Sequence, residues 1–484
     1  MSFRMKKMHK KYWRCFSVLF VLLVLGTPGW AKKYSISLEI PDAADSIVFL
    51  AHYFNGQIFV DDTVRLDRQG KGIFEGDTLL DQGLYLIYLN KNRYSDFLMG
   101  SDQQFKIRHH FFSPDRFEIT GSPDGELFNS YKIFLADLKV RQQKLINKRT
   151  EWQHNADSLK KINEELELLN QKVTGFWFAE ADKYPDSFYG KFLLASYIPV
   201  PNEKDIPAQW TKNDSLRWVY EYNFRKNHYW DYLDLSDERF LRTPVLKPRL
   251  ENYFDQVLLQ RPDSVAPYAI KAIEKAKANS KTFRYVTTFL LNHFAKSQIM
   301  GMEAVFVRIA EKYYLSGLAS WADSATIAGI GRQVVFKRNN LLGMKARELK
   351  MESWEGPHYS LYEVAADYTV LVFWEPDCGH CKKQIPELYT DVFLPLKEKK
   401  VVFFAVNSQT NREEWGKSIN EHKLYDWINV WDPHNLTDFR INYDVQTTPI
   451  IYILDKDKRI IAKKIDSQTV KKMLEHLLDG KRVF

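Results

Sequence analysis

Cysteine is nearly absent from this chain: three residues in 484, far too few to staple a scaffold with disulfides. Long apolar runs are missing as well. The one uncharged stretch, CFSVLFVLLVLG at 15–26, falls short of the roughly 20 residues that cross a bilayer, and no later segment is long and apolar enough. There is no second Cys-x-x-Cys and no spaced His pair to complete a structural zinc set. A phosphate-cradling loop is missing too, because Gly329-Ile330-Gly331 lacks a third glycine and follows no strand. What is there is a chain that is 45% apolar and 15% aromatic, enough for about two to four domains of ordinary size and not the composition of a disordered or fibrous protein.

Charge of one sign is also scarce once the chain is divided. Residues 1–14 (MSFRMKKMHKKYWR) hold six Lys or Arg and no acid, lead into the apolar stretch, and end at the small residues Gly29 and Ala31. This is the order of a secretory signal, with cleavage expected near Ala31. Cys15 stands before the apolar stretch rather than after it, which argues against a lipid anchor at that cysteine. Removing 1–31 lowers the basic count from 69 to 63 against 61 acids, a net charge of +2 instead of +8. The case for a nucleic-acid or anionic-membrane partner goes with the removed segment.

Three patterns follow along the mature chain. From 33 to 121 the period is two, as in Tyr34, Ile36, Leu38 and Ile40, and Asn55-Gly56 signals a tight hairpin; a small antiparallel β domain is expected. From 122 to 335 the period is helical, with Leu127, Tyr131, Phe134 and Leu138 on one face and Leu159, Ile162, Leu166, Leu169 and Val173 on another. That predicts an all-α domain opening with a helical hairpin, its later part divided by prolines such as Pro248, Pro262 and Pro267. From 340 to 484 buried runs at 369–374, 401–407, 450–454 and 460–465 alternate with helical stretches at 380–398, 411–422 and 467–478. This is an α/β sheet domain with covered interior strands.

The chemistry is concentrated at Trp374-Glu375-Pro376-Asp377-Cys378-Gly379-His380-Cys381, where a buried strand gives way to a helix. At a helix N-terminus, unpaired backbone N–H groups and the macrodipole favour the thiolate of the first cysteine, and the second lies one turn away, in reach of a mixed disulfide. His380, when charged, adds to that. A c-type haem would need His at 382, where Lys stands. A structural disulfide across so short a loop restrains little of the unfolded chain. Redox exchange through Cys378 and Cys381 is the expectation, with no metal and no cofactor.

These residues resemble the exported TlpA/ResA-like branch of the thioredoxin superfamily. The likeness rests on Phe373-Trp374, Cys378 to Cys381, Pro386 five residues beyond, and Thr448-Pro449 before the strand IIYIL, and it covers roughly 340–484. It implies that Pro449 is cis, that Thr448 and Pro449 bind substrate beside the cysteines, and that Gly379, His380, Trp374 and Glu375 tune them. Two positions depart from the family pattern. Val372 occupies the place of a buried carboxylate that serves the second cysteine, leaving Glu375 or water for proton transfer, and Asp466-Ser467 stands where many relatives have glycine. The β and helical domains in front look like those of multi-domain exported thioredoxin proteins of Gram-negative bacteria and carry no assigned activity.

The resulting expectation is a periplasmic or cell-envelope thiol-disulfide oxidoreductase acting on protein thiols or disulfides, recharged by an unidentified electron donor. Reduction is favoured over isomerisation, although a Gly-His dipeptide also occurs in protein disulfide isomerases, whose poise lies about 90 mV above thioredoxin's. The competing reading is a partner-binding envelope protein with a redox-responsive appendage. Elsewhere, His109-His110 in a strand pattern lack companions for a metal set. The aromatic cluster Trp218, Tyr220, Tyr222, Tyr229, Trp230 and Tyr232 is expected to be helical core.

Overall fold

The computed structural model describes residues 34–113 and 116–481; the expected signal, its cleavage position and Cys15 lie outside them. Eight strands come first: β1 (Tyr34–Glu39), β2 (Ile47–Phe54), β3 (Gln57–Arg65), β4 (Lys71–Gly76), β5 (Gly83–Asn90), β6 (Arg93–Met99), β7 (Gln104–Arg108) and β8 (Glu118–Thr120). They form two four-stranded sheets, β4-β1-β7-β8 and β3-β2-β5-β6. Alternation in β1 buries Tyr34, Ile36 and Leu38 and leaves the residues between them half-exposed. Asn55 and Gly56 join β2 to β3 with φ of 52° and 76°, the left-handed pair a two-residue hairpin requires. β1 runs antiparallel to β4 but parallel to β7. Hairpin signals are local, whereas this pairing is closed only after the intervening strands have crossed over.

The helical region holds α1 (Pro123–Glu151), α2 (Ala156–Lys183), α3 (Phe188–Ala195), α4 (Asp214–His228), α5 (Leu246–Asn252), α6 (Pro262–Ala276), α7 (Ser280–Ala295), α8 (Glu303–Ile309) and α9 (Ser324–Lys337). Phe134 of α1 stacks on Phe176 of α2 with centroids 4.2 Å apart. The deepest packing lies among α6, α7 and α8, where Val265, Ala269, Val286, Leu290, Val305 and Ile309 are fully buried. Contrary to expectation, Pro248 and Pro267 do not divide helices. Pro248 lies in α5, and Pro267 lies in α6 behind Pro262, near enough to the N-termini that few i→i−4 bonds are lost. The aromatic cluster splits: Tyr229 and Trp230 are core, while Trp218 is 53% exposed.

The last region contains β9 (Lys350–Ser353), β10 (His358–Ser360), β11 (Tyr368–Trp374), α10 (Gly379–Glu387), α11 (Leu394–Leu396), β12 (Val401–Asn407), α12 (Arg412–Glu421), β13 (Ile428–Trp431), α13 (Phe439–Asn442), β14 (Ile450–Asp455), β15 (Ile460–Lys463) and α14 (Ser467–Leu478). Its seven-stranded sheet has the order β10-β9-β13-β12-β11-β14-β15. β11 is parallel to β12 and antiparallel to β14. Both faces are covered. Val370, Val372 and Trp374 pack with Ile385, Trp415 and Leu474, and Leu371 and Phe373 pack on the other side with Phe439 and Tyr443. That two-sided burial is why the central strands read as continuous apolar runs. A π-helical turn at Leu388–Phe393 joins α10 to α11 just beyond Pro386.

Two compact units emerge. One comprises most of the β strands and reaches Ile133 in α1, and the other holds His52–Phe59, Gly83–Tyr85 and the chain from Phe134 onward. Packing therefore continues from the helical region into the α/β sheet. Lys463, at the end of β15, is buried against Glu303 of α8 at 2.6 Å and donates to the Asn340 carbonyl at 2.9 Å.

Candidate functional site

The site is assembled at the end of β11, the strand with buried neighbours on both edges. Trp374 closes the strand, and a turn of Glu375, Pro376 and Asp377 delivers Cys378 to the N-cap of α10. Cys378 has extended φ/ψ, and its sulfur accepts the Cys381 N–H at 3.4 Å, the place an N-cap side chain takes. Both cysteines are free thiols, Cys378 partly exposed and Cys381 buried.

Their surroundings separate them. Burial raises the Cys378 pKa, but the Thr448 side chain, Cys381 and the backbone N–H groups of Cys381 and His380 outweigh it and hold the thiol below its ordinary value. Burial dominates at Cys381 and pushes it up to about 12, against a weaker lowering by the Glu375 backbone.

Thr448 and Pro449 arrive from 70 residues away in sequence. Their peptide bond is cis, and the Thr448 carbonyl accepts from the Cys378 thiol at 3.1 Å. His380 is exposed, and it acts on Cys378 through its backbone N–H. A Cβ on Gly379 would meet nothing within 4 Å, so sterics do not demand glycine there. Val372 is wholly buried in the apolar face beneath α10. Ser467 is buried and donates to Glu387 at 2.7 Å, while Asp466 caps α14.

Three residues of this site carry no motif in the sequence. The Ser408 hydroxyl donates to Glu375 Oε1 at 2.6 Å, and its N–H donates to the Trp374 carbonyl at 3.0 Å. Gln409 donates to the Asp377 carboxylate, and Arg440 to the Ser408 carbonyl. The segment after β12 thus clamps the turn that presents Cys378. The available signal was position: polar residues just past the carboxyl end of a buried parallel strand line the crevice of an open α/β sheet.

No group of three or more His, Cys, Asp or Glu that could hold a metal occurs among the described residues. His109 is fully buried beside Ser95 at 3.1 Å. No helix among the described residues is long and apolar enough to cross a membrane.

Residues 366–460 match the family model described as thioredoxin-like, and 196–328 match a domain of unknown function, DUF5106. No curated protein matches the chain. Among solved structures, a domain of a possible thiol-disulfide isomerase from Cytophaga hutchinsonii is 42% identical over 29% of this chain and 95% of its own, with a TM-score of 0.28. A thioredoxin-like protein from Bacteroides caccae is 21% identical over 58% of this chain and 97% of its own, with a TM-score of 0.45. A thiol:disulfide interchange protein from a Bacteroides species is 24% identical over 30% and 95%, with a TM-score of 0.28.

Proposed function

The C-terminal domain of this chain belongs to the thioredoxin-like family, and from that premise we propose that the protein is a thiol-disulfide oxidoreductase exchanging disulfides with exported polypeptides through Cys378 and Cys381. The observation that carries this reading is the unequal placement of the two thiols: Cys378 is partly exposed at the N-cap of α10, 3.1 Å from the Thr448 carbonyl, and Cys381 is buried one turn on, which lowers the first pKa and pushes the second up to about 12.

In the reducing direction, the Cys378 thiolate attacks one sulfur of a client disulfide. A Cys378–client disulfide forms, and the other client sulfur leaves as a thiolate that takes up a proton. Cys381 then loses its proton and attacks the Cys378 sulfur, releasing the second client thiolate. The client gains two electrons, the protein holds a Cys378–Cys381 disulfide, and an external dithiol donor restores it. A thiol near 12 attacks slowly at neutral pH unless a base takes its proton. Glu375, held by Ser408, with water, fills that role in this reading. Thr448 and Pro449 align the client backbone beside Cys378.

Export rests on the basic and apolar order of 1–26 and the small residues ending at Ala31. The test uses the mature protein. It reduces insulin with a dithiol donor, and its Cys381→Ser form accumulates mixed disulfides in the cell envelope whereas Cys378→Ser does not. Absence of both turnover and trapped adducts would overturn the reading. A redox titration of the pair fixes direction, since a potential near thioredoxin's supports reduction and one near the isomerases' overturns it.

A further inference from the structure

A cleft of about 700 Å³ opens along α7, remote in sequence from the cysteines, with Asn55 of the β2–β3 turn at its rim. Tyr285, Phe289 and His293 line it and recur every fourth residue, so they share one row of the helix. Their rings lie nearly parallel, with centroids 6.2 and 5.8 Å apart. The row is held at both ends: Tyr285 donates its hydroxyl to Asn55 at 2.8 Å, and His293 is bonded to Asp255 at 2.8 Å. The result is a fixed aromatic shelf.

Charge around the shelf is one-sided. Arg242, Lys247, Lys281, Arg284 and Lys296 line the cleft against a single carboxylate, Glu251. Lys281 is answered by Glu238 at 3.1 Å and Lys247 by Glu251 at 3.9 Å. Arg284 and Lys296, which bracket the aromatic row, have no side-chain partner among the described residues. The chain beyond residue 31 carries a net charge of only +2, so this excess is a local concentration rather than a general basicity.

Spacing selects the ligand. Arg284 and Lys296 stand twelve positions apart, about 18 Å along a helix at 1.5 Å per residue. The charges of a nucleoside phosphate lie too close together to reach both ends, and no glycine-rich turn converges on one point. An extended peptide of about six residues covers that length, with carboxylates for the cations and flat side chains for the shelf.

We infer that this cleft binds an acidic, aromatic-bearing extended segment of the client polypeptide and so selects the substrates of the oxidoreductase. The inference rests on the function proposed above, and two measurements keep the two apart. First, anisotropy of a labelled, disulfide-free peptide, Glu-Tyr-Glu-Asp-Phe-Glu, titrated with mature protein reports binding alone. Saturable binding that weakens with salt is expected, together with a loss of about tenfold or more in Arg284→Glu/Lys296→Glu and a smaller loss in Arg284→Gln/Lys296→Gln. No binding, equal binding by the variants, or preference for a lysine-rich peptide or a single-stranded oligonucleotide overturns the inference. Second, turnover of a small disulfide is expected to be unchanged in the charge variants, while the advantage of a disulfide peptide bearing the acidic tail over an untailed one disappears. If wild-type protein turns over neither substrate, the oxidoreductase reading fails; if it turns over both equally, only the client cleft does.

Discussion

Cys378 and Cys381 sit on one turn of α10, and their fates diverge because only one of them leaves the apolar face. The Cys378 sulfur meets backbone N–H groups and Thr448, whereas Cys381 is packed with Trp374 and Ile385. Iodoacetamide applied between pH 7 and 9 is therefore expected to modify Cys378 alone. Cys381 becomes reactive only as the pH nears about 12 or the fold opens, and peptide mass spectrometry reads the difference. Thr448→Val removes the hydroxyl and should raise the Cys378 pKa, seen as a rightward shift of thiolate absorbance with pH. At the opposite end of the chain, burial lowers the His109 pKa from 6.5 to about 4. A folded-state value below the unfolded one means stability is full above pH 6.5 and is lost as pH falls toward 4, on the order of 3 kcal/mol in all. A urea-unfolding series over that window checks it, and His109→Phe should flatten the slope. The cysteine pair at the start of α10 was legible because spacing, strand end and helix start agree locally. Ser408 and Arg440 were not, since a clamp in which Ser408 reaches back 33 positions to Glu375 and Arg440 reaches back 32 to Ser408 leaves no local pattern.

At the scale of elements, the same contrast separates hairpins from long-range pairings. Asn55-Gly56 announced its turn; β1 beside β7 did not, because a parallel neighbour is fixed by crossover and not by turn chemistry. Short strands such as β9, β10 and β13 also escaped, three or four residues being too few to show a period. Two glycines test what a turn tolerates. Gly56 has φ +76°, and a Cβ there would meet only the flexible Lys247 side chain at 3.4 Å, an ordinary contact, so Gly56→Ala should cost about 1 kcal/mol, the left-handed penalty alone. Gly70 has φ +73°, but a Cβ there would lie 2.3 Å from the Ile40 carbonyl oxygen. Gly70→Ala should therefore destabilise several times more, and paired melting curves decide.

At the scale of the molecule, the change of period near 335–340 marks a change of element type, yet the packing does not stop there. Lys463 is 3% exposed at its side chain and is paired with Glu303 across that boundary. Burial lowers its pKa, but removing Glu303 still strands a cation in the interior. Glu303→Ala is expected to cost about 3 kcal/mol, and Lys463→Met/Glu303→Leu to recover most of it. Chemical denaturation followed by tryptophan fluorescence measures both, and a loss below about 1 kcal/mol would count against the link. Composition could not have shown this pair, because a lysine in a strand reads as surface until its cover is known.

The segment just before β9 has a second consequence. Gly343 and Ile460, and Met344 and Ile460, exchange backbone hydrogen bonds at 2.8 and 2.9 Å, so the free side of β15 is already occupied. The other margin of the sheet, β10, is only three residues long. Cutting the chain at residue 350 to isolate the redox domain would uncover a row of unpaired amides and carbonyls along β15, inviting strand-to-strand self-association. Beginning the fragment at 340 keeps the cover, and sedimentation of the two fragments side by side would show the shorter one associating.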